Sequence, residues 1–261
     1  MRIHAFHLLR EERLKTSTKP FNARGAKVSR CRYCLVAEKN CLCELQPKVA
    51  CEIAALILVS DNETFKPSNT GRLIADVVEE THVFAWNRTE PQAELIALIN
   101  NNDYLPFVVF PDEYVDEKAR LVESAELLRL SHKAARVQVA NDEQRSLPTL
   151  LPIFLDGSWR EARKMFRRSD YLTGLPVLSI EPQQISEYLM RSSDNEQHLS
   201  TAEVASLVLE QLEQPSAGRA LKLWFECFRE TYMLSKTRYK SDPTRPALQA
   251  WKDFIGFEST N

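Results

Sequence analysis

Residues 152–166, PIFLDGSWREARKMF, place a strand, a carboxylate and a helix within fifteen positions. Ile153 to Leu155 is a short apolar run of the kind buried on both faces of a parallel sheet, and it stops at Asp156. Ser158 and Glu161 have capping-box spacing, so a helix is predicted to open at Trp159. Along it Trp159, Ala162, Met165 and Phe166 form an apolar stripe, while Arg160, Arg163, Lys164 and Arg167 recur at i, i+3, i+4 and i+7. The carboxylate stands where open α/β sheets bind ligands, outside the carboxyl end of a strand. On the residues alone, Asp156 and Ser158 read equally as helix caps, and the basic stripe as a solvated face.

Working outward, the same apolar texture recurs at Ile53 to Val59, His82 to Trp86, Phe107 to Phe110 and Pro176 to Ile180. Helical spacing lies between them, at Leu73, Ile74, Val77 and Val78, and again at Leu95, Leu98 and Ile99. Alternation of this kind predicts an α/β sheet with right-handed crossover helices. Two further helices are expected at Thr201 to Leu212 and Arg219 to Leu234. Residues 112–149 read as an insertion, a charged helix from Glu117 to Arg136 followed by the polar loop Asn141 to Ser146. Residues 1–30, rich in Lys and Arg with Pro20 and Gly25 as breakers, read as a loosely ordered arm. There is no internal repeat or low-complexity tract.

The chain has 34 basic and 36 acidic residues, so any nucleic-acid surface must be local rather than a global field. No run is apolar enough for a signal peptide or a membrane span, and a cytoplasmic location is expected. In a reducing compartment six cysteines read as thiols or metal ligands. Four of them, Cys31, Cys34, Cys41 and Cys43, fall in a segment made too polar for a core by Arg30, Arg32, Glu38, Lys39 and Asn40. Four close thiolates repel one another unless a soft cation neutralises them, so zinc in a closed tetrahedral site is the favoured reading, with an iron–sulfur cluster as the alternative. Cys51 and Cys227 read as core residues. Residues 1–48 are thus expected to form an arm and a metal module, and 49–261 a larger α/β domain.

Three more loops share the strand-end or helix-start layout. KPSNTGRLIA, from Lys66, offers Asn69 or Thr70 as a cap with Gly71 and Arg72 in the first turn, where a carboxylate or phosphate could be held. FPDE runs from Phe110 and Pro111 to Glu113, and HLSTAEVA carries a capping-box pattern at Ser200 and Glu203 beside Thr201. With the loop at Asp156 these are enough to line one crevice. His4, His7, His82, His132 and His198 show no grouping, and none is assigned a role.

The order CxxC and CxC, then NTGR, then a strand-end FP, then DGSWREARKMF, then STAEVA resembles the bacterial DTW-domain proteins, the tRNA-uridine aminocarboxypropyltransferases. Their Asp-x-Thr-Trp signature is matched by Asp156, Gly157, Ser158 and Trp159, Ser keeping the hydroxyl of Thr. The arm LREERLKTSTKPFNARGAKVSRC extends the resemblance from about Leu9 to the C-terminal helix, residues 112–149 excepted. It implies a SPOUT-like sheet with a C-terminal knot that binds S-adenosylmethionine, and transfer of that molecule's 3-amino-3-carboxypropyl group to a uridine in the tRNA variable loop. In that setting Asp156 becomes the candidate base, and Trp159 the cover of the adenine or the methionine chain. Arg72 would hold the methionine carboxylate or a phosphate. Thr70, Gly71, Phe110, Pro111, Ser158, Ser200 and Thr201 would be further cofactor contacts. Arg160, Arg163, Lys164, Arg167 and Arg168, with Arg30 and Arg32 of the metal module, would hold the tRNA backbone. A SPOUT-type RNA methyltransferase, or a zinc RNA-binding protein without catalysis, would share much of this sequence logic.

Overall fold

The computed structural model describes residues 1–17, 28–131, 148–179, 200–236 and 242–256. Helix α1 (Ala5–Thr16) precedes the cysteine segment, and β1 (Ala55–Val59), α2 (Arg72–Val77), β2 (Thr81–Ala85), α3 (Ala93–Ile99) and β3 (Tyr104–Val109) follow in alternation. Then come β4 (Leu121–Val122), β5 (Thr149–Asp156), α4 (Trp159–Arg168), β6 (Val177–Leu178), α5 (Thr201–Gln211), α6 (Pro215–Met233) and α7 (Pro246–Phe254). The strands form one six-stranded sheet in the order β2-β1-β5-β3-β6-β4, and every pairing is parallel.

Strand alternation sorts the core into two layers. Ala55, Ile57, Val59, Leu150 and Phe154 face α1, α2, α5, α6 and the cysteine segment, whereas Leu56, Leu58, Ile153 and Leu155 face α3 and α4. Trp224 of α6 and Trp251 of α7 fill the first layer, with ring centroids 5.2 Å apart. Because β1 and β5 are covered on both faces, their sequences are continuous apolar runs.

Several expectations change. The loosely ordered arm contains α1, whose Phe6 and Leu9, three positions apart, are buried in the main core. Within the expected helix from Glu117, Leu121 and Val122 instead pair with Val177 and Leu178 as the sheet's last strand, and residues 124–131 are helical. Residues 112–131 are therefore woven into the sheet and core, with Leu127 fully buried. Strand β5 starts at Thr149, upstream of the predicted run from Ile153, and Pro152 sits in the ladder opposite Phe107. The loop from Asn141, His132 and His198 lie outside the described residues, and the expected C-terminal knot depends on the path of residues 180–199, also outside them.

Candidate ligand crevice and metal module

In the register of the sheet, Val59 is opposite Asp156, and the backbone N–H of Ser60 donates to the Asp156 carbonyl at 2.9 Å. From here the chain diverges: β1 leads into α2 on one face, and β5 leads into α4 on the other. The neighbouring ends of β1 and β5 therefore form a topological switch point, the place where parallel α/β sheets open a crevice.

The Asp156 carboxylate lies fully buried on the α2 side of that opening. It accepts hydrogen bonds from Asn69 Nδ2 at 2.5 Å and Thr201 Oγ1 at 2.8 Å. Asn69 in turn accepts from the Arg72 backbone N–H at 2.9 Å, so one side chain both starts α2 and binds Asp156. Gly71 is packed flat on the carboxylate: a Cβ there would sit 2.5 Å from Asp156 Cγ, closer than any real contact. Glu63, also fully buried, lies 3.4 Å from Asn69 Nδ2 and pairs with Lys66 Nζ at 2.8 Å. Among the described residues the buried hydroxyls of Thr64 and Thr70 have no partner, which leaves two polar atoms available to a polar ligand.

The sequence points to Asp156 as a base; in the structure its two oxygens accept from Asn69 and Thr201, and these bonds tie the 69–71 loop to the start of α5. Ser200 and Glu203 form the expected capping box at that start, with Ser200 N–H donating to Glu203 Oε2 at 2.9 Å. At α4, Ser158 N–H and Oγ–H donate to Glu161 Oε2 at 2.8 and 2.5 Å. Partial burial pushes the Glu161 carboxyl up, but these bonds outweigh it and hold it below the usual range. The Ser158 hydroxyl is thus committed to the cap. Trp159 and Phe166 both stack with Phe110, at 5.5 and 4.3 Å between centroids, and Tyr114 meets Trp159 edge-on at 5.1 Å. Pro111, half-buried, continues from Phe110 into that aromatic wall on the α4 side.

The cysteine module lies on the α2 side. Sγ atoms of Cys31, Cys34, Cys41 and Cys43 all lie within 4.8 Å of one another, with 3.5 Å between Cys31 and Cys43 and 3.7 Å between Cys34 and Cys41. The turn is tight because Leu35 takes a left-handed φ of 60° and its N–H donates to the Cys31 carbonyl at 3.0 Å. Hydrogen bonding from Cys43, outweighing burial, together with the Leu42 N–H and the Arg72 charge, pulls the Cys34 thiol down to about 5. Four convergent sulfurs with N–H groups behind them fit a tetrahedral soft metal ion.

Arg72 belongs to this module rather than to the crevice. It is buried, donates to the Cys34 carbonyl at 2.6 Å, lies over the Phe228 ring at 4.5 Å and sits 3.9 Å from Asp76 Oδ2. Asp76 is a second buried carboxylate, one that no motif in the sequence marks out. It accepts from His4 Nε2 at 3.1 Å, Gln46 Nε2 at 2.7 Å and Trp224 Nε1 at 2.9 Å. Burial raises its pKa, yet His4, Arg72 and Trp224 together hold it well below the ordinary carboxylate range. His4 and His7, assigned no role from sequence, stack at 3.7 Å beside it.

Of the expected RNA contacts, Arg160, Lys164, Arg167 and Arg168 are exposed along α4 and Arg163 is half-buried over Tyr114 at 5.6 Å. Among the described residues none of the five has an acidic partner within 4.0 Å. Arg30 is tied into the fold, donating to the Leu35 carbonyl at 3.1 Å, and Arg32 is exposed and paired with Glu11.

The structure thus brings together a parallel α/β sheet with a buried carboxylate at its switch point, a four-cysteine module and a helix with an exposed basic ridge. The DTW-domain family model matches residues 28–233, and the chain belongs to the DTW-domain family. That membership is consistent with a tRNA-modifying enzyme. No solved structure matches the chain. Among the described residues no helix is long and apolar enough to cross a membrane.

Proposed function

We propose that this protein transfers the 3-amino-3-carboxypropyl group of S-adenosylmethionine to the imide nitrogen of a tRNA uridine, acting as a SPOUT-like transferase in the cytoplasm. The carrying observation is the convergence of the 69–71 loop and the start of α5 on buried Asp156 at the β1/β5 switch point, in a chain of the DTW-domain family. Residues 49–261 would carry the transfer and residues 1–48 the arm and metal module.

In this reading the donor lies in the crevice, with the free hydroxyls of Thr64 and Thr70 on one side and the Trp159 and Phe110 wall on the other. The uracil nitrogen attacks the methylene next to the sulfonium, the C–S bond breaks with its electron pair going to sulfur, neutral methylthioadenosine leaves and the imide proton is released. The sulfonium activates three carbons, so the outcome is decided by orientation. Asp156 serves that orientation by fixing both loops. Zinc at Cys31, Cys34, Cys41 and Cys43 would hold the module folded and take no part in the bond changes. The α4 ridge would neutralise tRNA phosphates.

Incubation with unmodified tRNA and S-adenosylmethionine, followed by nucleoside mass analysis, tests the reading. It expects an aminocarboxypropyl adduct on uridine with methylthioadenosine. A methylated nucleoside with S-adenosylhomocysteine would replace it with methyl transfer, and tRNA binding indifferent to S-adenosylmethionine would replace it with a binding protein.

A further inference from the structure

Beyond the end of β2 the chain forms a polar groove of about 450 Å³, lined by Arg13, Asp61, Trp86, Asn87, Arg88 and Gln92 among others. That volume lies within the ~300–1,000 Å³ typical of small-ligand pockets. Its one aromatic side chain is rigidly held: the Trp86 backbone N–H extends the ladder to the Val59 carbonyl at 2.8 Å, and its indole Nε1 donates to Ser169 Oγ at 2.9 Å. The residue is half-buried, packed in part against the α3 and α4 core layer, and Lys164 of the basic ridge sits 5.4 Å over its ring.

The charges favour an anionic, aromatic occupant. Among the lining residues Arg13 pairs with Asp61 at 2.9 Å and Arg88 balances Glu90, so Lys164, over the Trp86 ring, leaves the groove with a net positive charge at its border with the ridge. Proteins bind an unpaired nucleotide by stacking the base on such a ring while Lys or Arg meets the phosphate; here a base taking the Trp86 face would displace Lys164 from over the ring onto the phosphate. The groove is continuous with the α4 ridge through Lys164. It lies two strands from β5, about 10 Å from Asp156 at ~4.8 Å per strand, too far to hold the reacting base itself.

We infer that this groove binds one unpaired nucleotide of the RNA substrate, a neighbour of the target, stacked on Trp86 with its phosphate between Arg88 and Lys164. The inference deepens the proposed function and rests on its RNA substrate. Splaying a flanking base onto Trp86 would select looped over paired RNA, since only unstacked bases can reach such a ring.

The probe is a single-stranded oligoribonucleotide spanning the target uridine, with binding followed by anisotropy on the full chain. Trp86→Ala is expected to weaken binding roughly tenfold or more, the scale of one base–aromatic stack. Trp86→Phe should retain most of the affinity, and Arg88→Ala should reduce the salt slope by about one. S-adenosylmethionine affinity should not move in any of the three. Parent-like RNA affinity in Trp86→Ala overturns the inference; so does a loss in Trp86→Phe as large as in Trp86→Ala, which marks the ring as a packing element. Trp86-dependent RNA binding without transfer chemistry leaves the groove standing and removes the proposed function. Transfer chemistry with a Trp86-indifferent oligonucleotide does the reverse.

Discussion

Asp76 and Asp156 are both buried carboxylates on the same side of the sheet, yet they are held in opposite ways. Asp76 is surrounded by His4, Arg72, Gln46 and Trp224, charged or cationic groups among them, and joins α1, α2, α6 and the metal module. Asp156 accepts from the neutral donors Asn69 and Thr201 at the β1/β5 switch point. A buried charge ringed by several donors, one of them an arginine, is a fold hub. A buried charge held by loop donors at a strand end organises a site whose last polar contacts are left for a ligand.

The metal module leans on the Asp76 side through Arg72, so stripping it should give the largest effect. Chelation, or Cys34→Ser, is expected to lower the thermal midpoint by far more than any single-residue change elsewhere, because structural zinc contributes ~10–16 kcal/mol of apparent binding energy in small zinc modules. Cys227→Ser should leave the metal content unchanged. Elemental analysis finding neither zinc nor iron in protein purified without chelator would remove the metal from the account.

Substituting the two carboxylates in parallel sharpens the contrast. Asp76→Asn leaves the Arg72 charge buried without its counter-ion and should cost about 3–5 kcal/mol in denaturant unfolding. Asp156→Asn keeps an acceptor but turns an N–H toward a donor, and should cost about 1–3 kcal/mol. Product formation should fall far more than that stability loss explains, because the loops it aligns are lost. Equal stability losses with full activity in Asp156→Asn would erase the distinction between hub and site.

His7, beside the hub, gives a pH signature. Burial first, then the neighbouring His4 charge, pushes its pKa down to about 4. The unfolded chain, with an ordinary value near 6.5, therefore takes up a proton that the folded chain refuses, so stability is full above about pH 6.5 and falls as pH drops toward 4. The decline should be on the order of 2–3 kcal/mol, and His7→Phe should flatten it.

The smallest effect on folding belongs to the ridge. Replacing Arg160, Lys164 and Arg167 together by Ala should change stability by less than about 0.5 kcal/mol, since exposed residues carry little of it. The same variant should bind tRNA more weakly with a flatter salt dependence, and leave S-adenosylmethionine affinity alone.

What the sequence made legible was local. Ser158 and Glu161, or Ser200 and Glu203, are three residues apart, so their caps could be read directly, as could the apolar runs that became β1, β2, β3, β5 and β6. Asp76 was invisible because its donors Gln46, His4 and Trp224 lie 30, 72 and 148 positions away, and no periodicity carries that information. Helix α1 was missed because most of its surface is polar and it is secured by few residues, Phe6 and Leu9 foremost. Strand β4 is two residues long, too short for any alternation to show. The place of Arg72 at a helix start points to the crevice, but its side chain reaches Cys34 and Phe228, both distant in sequence.

The central claim is that the donor lies between the 69–71 loop, the start of α4 and the start of α5. Amide hydrogen exchange with and without S-adenosylmethionine tests it most directly. The account predicts slowed exchange at residues 69–72, 157–161 and 200–203, with the groove at 86–92 unaffected until RNA is added. Protection confined to other segments, or none at saturating S-adenosylmethionine, would contradict it.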